Sequence, residues 1–160
     1  MALLLAMSST ALAAGVCKIG DTEYPTLQAA VDTITDGTQT TITLLGNKTG
    51  GGVKVKSGQN IIFELDGHTY TVNEKTVGSS GTETNGFQLL KGSNVTFQNG
   101  TIYAGGSARI LLQNYANLTL KDVTGCAGKR PVRIRFQQQL RDGKHHRQHQ
   151  HLCCGRTGGL

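Results

Sequence analysis

The chain has 160 residues, with 22 glycines, no tryptophan and a formal net charge of +6. The charge is unevenly placed: eight of the 16 Lys and Arg and nine of the 10 Asp and Glu fall in residues 1–124, and the other eight basic residues and Asp142 follow. The basic balance thus belongs to the tail alone, which excludes reading the whole chain as a nucleic-acid binder.

In chain order, Leu3–Met7 is an apolar run, and Ala11-Leu-Ala13 or Leu12-Ala-Ala14 offers the small residues a signal peptidase reads. Residues 1–14 are therefore expected to be a signal peptide, although no Lys or Arg precedes the run. A span of that length falls short of the roughly 20 residues a bilayer needs, so no transmembrane segment is expected. Export places the protein outside the cell or on its surface. Next, Pro25–Asp32 puts Leu27, Ala30, Val31 and Ile34 on one face of a short helix, with Thr26 as N-cap and Gly37 as its stop. Thr41–Leu45 follows as a first strand.

A strand-and-turn unit then recurs three times, anchored at Asn60, Asn94 and Asn117: Asn-Ile-Ile-Phe-Glu-Leu-Asp-Gly, Asn-Val-Thr-Phe-Gln-Asn-Gly and Asn-Leu-Thr-Leu-Lys-Asp-Val. The anchors lie 34 and 23 residues apart, and the longer interval holds the polar, glycine-rich stretch Thr76–Asn85, read as an inserted loop. Ahead of the anchors, Val53–Gly58, Phe87–Gly92 and Ile110–Asn114 supply a second strand per unit. Units with one apolar face that only a neighbour can cover imply a solenoid.

Residues 17–124, in their helix, strands and Asn-anchored turns, resemble the start of a right-handed parallel β-helix of the pectin-lyase-like kind, common in secreted and surface proteins of bacteria. The resemblance implies an all-β solenoid of about three coils over residues 15–124, its first coil shielded by the helix. Leucine-rich repeats are the rival, since 23 residues suits them too, but they need a longer leucine-spaced consensus.

Residues 125–160 break the pattern. His145, His146, His149, His151, Cys153 and Cys154 would suit a soft divalent metal, but they lack the spacing of opposed ligand pairs. The arginines would suit phosphate, without interleaved aromatic residues beyond Phe136. The tail reads better as coding sequence out of frame. Moving the frame forward by one nucleotide turns Gln and His runs such as Gln137–Gln139 into Asn/Ser and Ile/Thr, restoring a strand–turn–strand about one unit after Asn117. As written, the tail is expected to be disordered.

The chemistry in residues 15–124 is sparse. Asp66 and His68 could serve as an acid/base pair, but Asp-Gly before Thr-Tyr-Thr-Val72 reads better as a turn. The asparagines Asn60, Asn94 and Asn117 are read as structural anchors, stacked in an internal ladder or holding turns. Tyr70, Tyr103 and Tyr115 are candidates for stacking on sugar rings, and the alternative is that they simply fill strand positions. A Cys17–Cys126 disulfide suits an exported protein but reaches into the doubtful tail. No catalytic residue, metal or cofactor is assigned. The expected function is a non-catalytic, adhesin-like or carbohydrate-contacting scaffold, incomplete as given, facing an extracellular polysaccharide or host glycan. The full-length protein would be attached to the cell surface. The alternative is the N-terminal part of a polysaccharide lyase or glycoside hydrolase whose active-site coils lie downstream.

Overall fold

A computed structural model describes residues 15–127 and 134–136. The expected signal peptide over residues 1–14 and most of the tail from residue 125 lie outside them. In chain order the elements are β1 Cys17–Ile19, β2 Thr22–Tyr24, α1 Leu27–Thr33, β3 Thr40–Leu44, β4 Lys48–Gly50, β5 Val53–Val55, β6 Asn60–Glu64, β7 Thr69–Val72, β8 Asn85–Leu89, β9 Asn94–Ala104, β10 Ile110–Asn114, β11 Asn117–Ala127 and β12 Ile134–Phe136. The fold is mostly β, with one helix among the described residues.

Beyond the N-terminal hairpin, the strands pair in parallel along three ladders. In the first, Ile42 lies beside Phe63, Phe63 beside Phe97 and Phe97 beside Leu120, across β3, β6, β9 and β11. In the second, Gly50, Val72, Ala104 and Ala127 align across β4, β7 and the later halves of β9 and β11. The third aligns Val53, Phe87, Leu112 and Ile134 across β5, β8, β10 and β12. The three anchors Asn60, Asn94 and Asn117 occupy one register.

Two expectations change. The units contain three strands rather than two, because the turn at Asp66-Gly67 is over by Thr69, where Tyr70 and Val72 point inward and begin a strand. Ile134–Phe136 was expected to lack structure, yet it forms β12 in register with Leu112–Asn114. The Ile-Arg-Phe alternation that a strand requires is present there.

The corner between the first and second ladders repeats one backbone solution. Asp66, Asn99 and Asp122 sit there with φ of 49°, 57° and 51°. Such left-handed positions are costly for most L-residues but open to Asn and Asp, whose short polar side chains bond locally.

Inward side chains of all three ladders share one core with α1. Phe63 and Phe97 stack at 4.7 Å and 16°, and Phe87 meets Phe97 edge-on at 5.0 Å and 82°. The helix adds Leu27, Ala30, Val31 and Ile34, all buried, as its spacing predicts. Thr26 caps it, accepting from Ala29 N at 3.0 Å. The helix stops before Gly37, because Ile34 is already extended and its N–H bonds back to Val31 O.

Two glutamines fasten the helix to the ladders. Gln28 Oε1 accepts from Lys54 N at 2.7 Å, and its Nε2 donates to Lys54 O at 3.2 Å. Its amide thus serves the free edge of β5 as a strand backbone would. The buried amide of Gln59 donates to Val31 O and Ile34 O, both at 2.8 Å, and accepts from Lys56 N at 2.7 Å. Replacing Gln59 by Ala strands three backbone groups and is expected to lower stability by about 2–3 kcal/mol. Urea unfolding of Gln59→Ala against the parent checks this; an unchanged midpoint would show that water replaces the amide freely.

Candidate functional site

Strands alternate inward and outward, so in-register pairing turns outward residues into columns running across the ladders. The three anchor asparagines form one such column, and it faces outward. Asn117 Nδ2 donates to Asn94 Oδ1 at 2.9 Å, and both residues are exposed. The anchors are therefore aligned as expected, but as an outer row rather than an internal ladder. Their position directly before the inward Ile61, Val95 and Leu118 puts them on the solvent side.

The three tyrosines separate. Tyr70 is 1% exposed; its ring lies 6.0 Å from Phe87 and its hydroxyl donates to Gly51 O at 2.7 Å. Burial, aided by Glu74 and Cys17, holds its phenol well above the usual range. Tyr70 is thus a core residue and cannot stack on a sugar from outside, which corrects its reading as a glycan contact. Alternation places it inward, and Gly50 leaves room for its ring, since a Cβ there would lie 2.5 Å from the Tyr70 hydroxyl. Tyr103 is half-buried on the outward side of the second ladder, beside Thr71. Tyr115 is 37% exposed and lies just after β10.

Tyr115 belongs to a cluster of amides on the third ladder. Gln113 Nε2 donates to the Tyr115 hydroxyl at 2.9 Å, while Gln113 Oε1 accepts from Asn85 Nδ2 at 2.8 Å and from Gln88 Nε2 at 3.0 Å. Lys54, Gln88 and Gln113 share one outward column, and Arg135 takes the next register position. Asn85 and Gln88 are buried, at 3% and 5% exposure, and Asn85 Oδ1 and Gln88 Oε1 have no hydrogen-bond partner among the described residues. Asn85, Gln88 and Gln113 were not singled out from sequence. The available signal was a Gln at the same place in Phe87-Gln-Leu and Leu112-Gln-Asn, polar positions inside otherwise apolar strands.

The first ladder carries a different column. Glu64 accepts from Gln98 Nε2 at 2.6 Å, from Asp66 N at 2.9 Å and from Asn99 Nδ2 at 2.9 Å and 3.1 Å. Asp66 is exposed at its left-handed corner, and His68 is half-buried, its backbone N–H donating to Leu65 O. That geometry is a turn, and no side-chain bond among the described residues links Asp66 to His68. Cys17 is a buried free thiol whose Sγ donates to Thr26 O at 3.7 Å, and burial pushes it up to about 11. Strand order puts β1 four spacings from β11, about 19 Å at 4.8 Å each, so a Cys17–Cys126 disulfide is out of reach.

Among the described residues no group of three or more His, Cys, Asp and Glu side chains is arranged to hold a metal. No described helix is long and apolar enough to cross a membrane. Compared with protein-family models, curated proteins and solved structures, the chain matches none.

Burial alone would raise the Glu64 carboxyl, but hydrogen bonds from Gln98, the Asp66 backbone and Asn99 outweigh it and hold the group below its ordinary 4.5. The unfolded chain therefore binds this proton more readily than the folded one. The contribution is present above about pH 4.5 and is lost as pH falls through the lower, folded value. Thermal melts at stepped pH should show a steeper acid-side loss in the parent than in Glu64→Gln, and parallel profiles would remove Glu64 from this role.

The corner at Asn99 yields a second comparison. Asn99→Ala and Asn99→Gly both lose the bonds to Glu64 and both must hold the positive φ, which is costly for alanine and not for glycine. The alanine variant is expected to be less stable by about 1 kcal/mol. Equal midpoints in denaturant would show that the corner relaxes.

Proposed function

We propose that the chain is the N-terminal part of a right-handed parallel β-helix, exported and displayed outside the cell or on its surface, that serves as a non-catalytic scaffold contacting an extracellular polysaccharide or host glycan. The observation that carries this reading is the three-fold set of parallel ladders sharing one core, with Asn60, Asn94 and Asn117 in register. A chain that returns to the same three ladders at each pass is winding, and outward columns of Asn, Thr, Gln and Tyr suit sugar hydroxyls. The fold alone assigns no contact residue, so the reading rests on these outward columns.

The second reading, the start of a polysaccharide lyase or glycoside hydrolase, puts the catalytic coils beyond this chain. On the first ladder the Glu64 carboxylate is committed to Gln98, Asn99 and the Asp66 backbone. That commitment favours the scaffold reading for this segment. The two readings part downstream, where an enzyme needs clustered acidic and basic residues on later coils.

The basic, His-rich sequence after residue 125 is proposed to be a shifted reading frame of a further coil. The experiment is to resequence the gene from the Asp122 codon through several hundred nucleotides past Leu160. Restored Asn-anchored units in the shifted frame are expected, and whether they carry an acidic cluster chooses between scaffold and enzyme. An early stop in that frame, with the present frame confirmed, would overturn the frameshift.

A further inference from the structure

We infer that the amide cluster of the third ladder is a saccharide subsite, in which Asn85 Oδ1 and Gln88 Oε1 accept hydrogen bonds from two hydroxyls of one sugar while Tyr115 covers its face. The inference rests on the glycan-contacting reading above and assigns that reading a place and a polarity. The two oxygens are the only buried side-chain polar atoms among the described residues without a partner. A buried carbonyl oxygen left unpaired costs free energy, so a cluster that retains two of them, on amides sharing the Gln113 oxygen, is suited to receive donors.

The surrounding chemistry narrows the ligand. Both orphan atoms are neutral acceptors, so they call for O–H or N–H donors. Asn85 Nδ2 and Gln88 Nε2 each give one of their two amide hydrogens to Gln113 Oε1, at 2.8 Å and 3.0 Å. The Tyr115 hydroxyl accepts from Gln113 Nε2 and keeps its own proton free to donate. Two acceptors, one donor and an exposed ring match a sugar, with its adjacent hydroxyls and apolar face. A metal ion is a poor match, since two neutral amide oxygens supply no charge.

Access runs through Gln113. Its amide is half-buried and its described bonds all go to the side chains of Asn85, Gln88 and Tyr115. Reaching the two oxygens requires that amide to give up these bonds, a side-chain movement that leaves the β8–β10 strand pairing in place. Lys54 borders the column on the neighbouring strand β5 and would add to the binding of an acidic sugar only.

The test uses the full 160-residue chain and two probes, a soluble neutral β-glucan and polygalacturonate, titrated calorimetrically against the parent and the variants Gln88→Leu, Tyr115→Ala and Tyr103→Ala. Gln88→Leu removes an unpaired oxygen and Tyr115→Ala alters an exposed residue, so both should melt cooperatively. Each is expected to weaken binding about tenfold or more, the equivalent of one lost interaction of 1.4 kcal/mol. Tyr103→Ala, on the second ladder, should change nothing. Binding of either probe that is lost in Tyr103→Ala and kept in Gln88→Leu would overturn this subsite and leave the glycan-contacting scaffold standing. If neither probe binds the parent, both readings fall. If Gln88→Leu melts higher and binds as the parent does, the orphan oxygens are a tolerated cost and the inference fails.

Discussion

Parallel strands in register are the constraint on which everything else rests. Register is satisfied only if each pass of the chain delivers its residues to the same heights, so surplus residues must leave the sheet between strands. The pairings show where. Steps that span residues 73–84 cover 34 residues from Asn60 to Asn94 and from Val53 to Phe87, and 32 from Thr69 to Thr101. Steps that do not span them cover 21 from Thr40 to Ile61, 22 from Lys48 to Tyr70 and 23 from Asn94 to Asn117. The ten or so extra residues fold back on themselves through the Val77–Asn85 bridge and the Thr76 hydroxyl bond to Glu83 O, so the ladders proceed as though the loop were absent.

Ladders solve the interior of a stack and leave its ends unsolved. At the N-terminal end the first ladder is covered by the antiparallel strands β1 and β2, and the third by the Gln28 amide. Gln59 then ties the end of α1 to the turn before β6 from inside the core. At the other end, among the described residues, β11 pairs with β9 alone, and Leu118, Leu120 and Val123 are only partly buried against the core. A strand edge and half-covered leucines are what a further pass would consume. Among the described residues, then, the first strands of the first and third ladders are covered and the last strand of the first is not.

Much of this was legible from residues. The helix was readable because Leu27, Ala30, Val31 and Ile34 fall on one face behind a threonine cap. The repeat was readable because three asparagines each precede an apolar alternation. What escaped was the second ladder, since Thr69–Val72 is four residues long and follows an Asp-Gly pair that signals a turn so strongly. Tyr70 stood open between a sugar contact and a strand position, because so short a strand does not say from its sequence which of its alternate residues points inward. The amide cluster was hidden more deeply. Asn85 had been counted within the loop, and Gln88 and Gln113 looked like ordinary outward positions.

That last point shows why function is written differently from fold in such a chain. Stacking is indifferent to what projects outward, so each outward column is free to vary without disturbing register, and neighbouring columns differ sharply here. Across the first ladder Thr43, Glu64, Gln98 and Lys121 run from neutral through acidic to basic. Across the third, Lys54, Gln88, Gln113 and Arg135 place two amides between two basic residues in register. In the first column the acidic group is answered at once by Gln98 and Asn99, and its bonding is complete. In the third the amides answer only half of one another's needs, because two donors converge on one oxygen and two oxygens are left over. A leucine in place of either buried amide would continue the strand without that deficit, so nothing in the ladder itself requires the unmet acceptors.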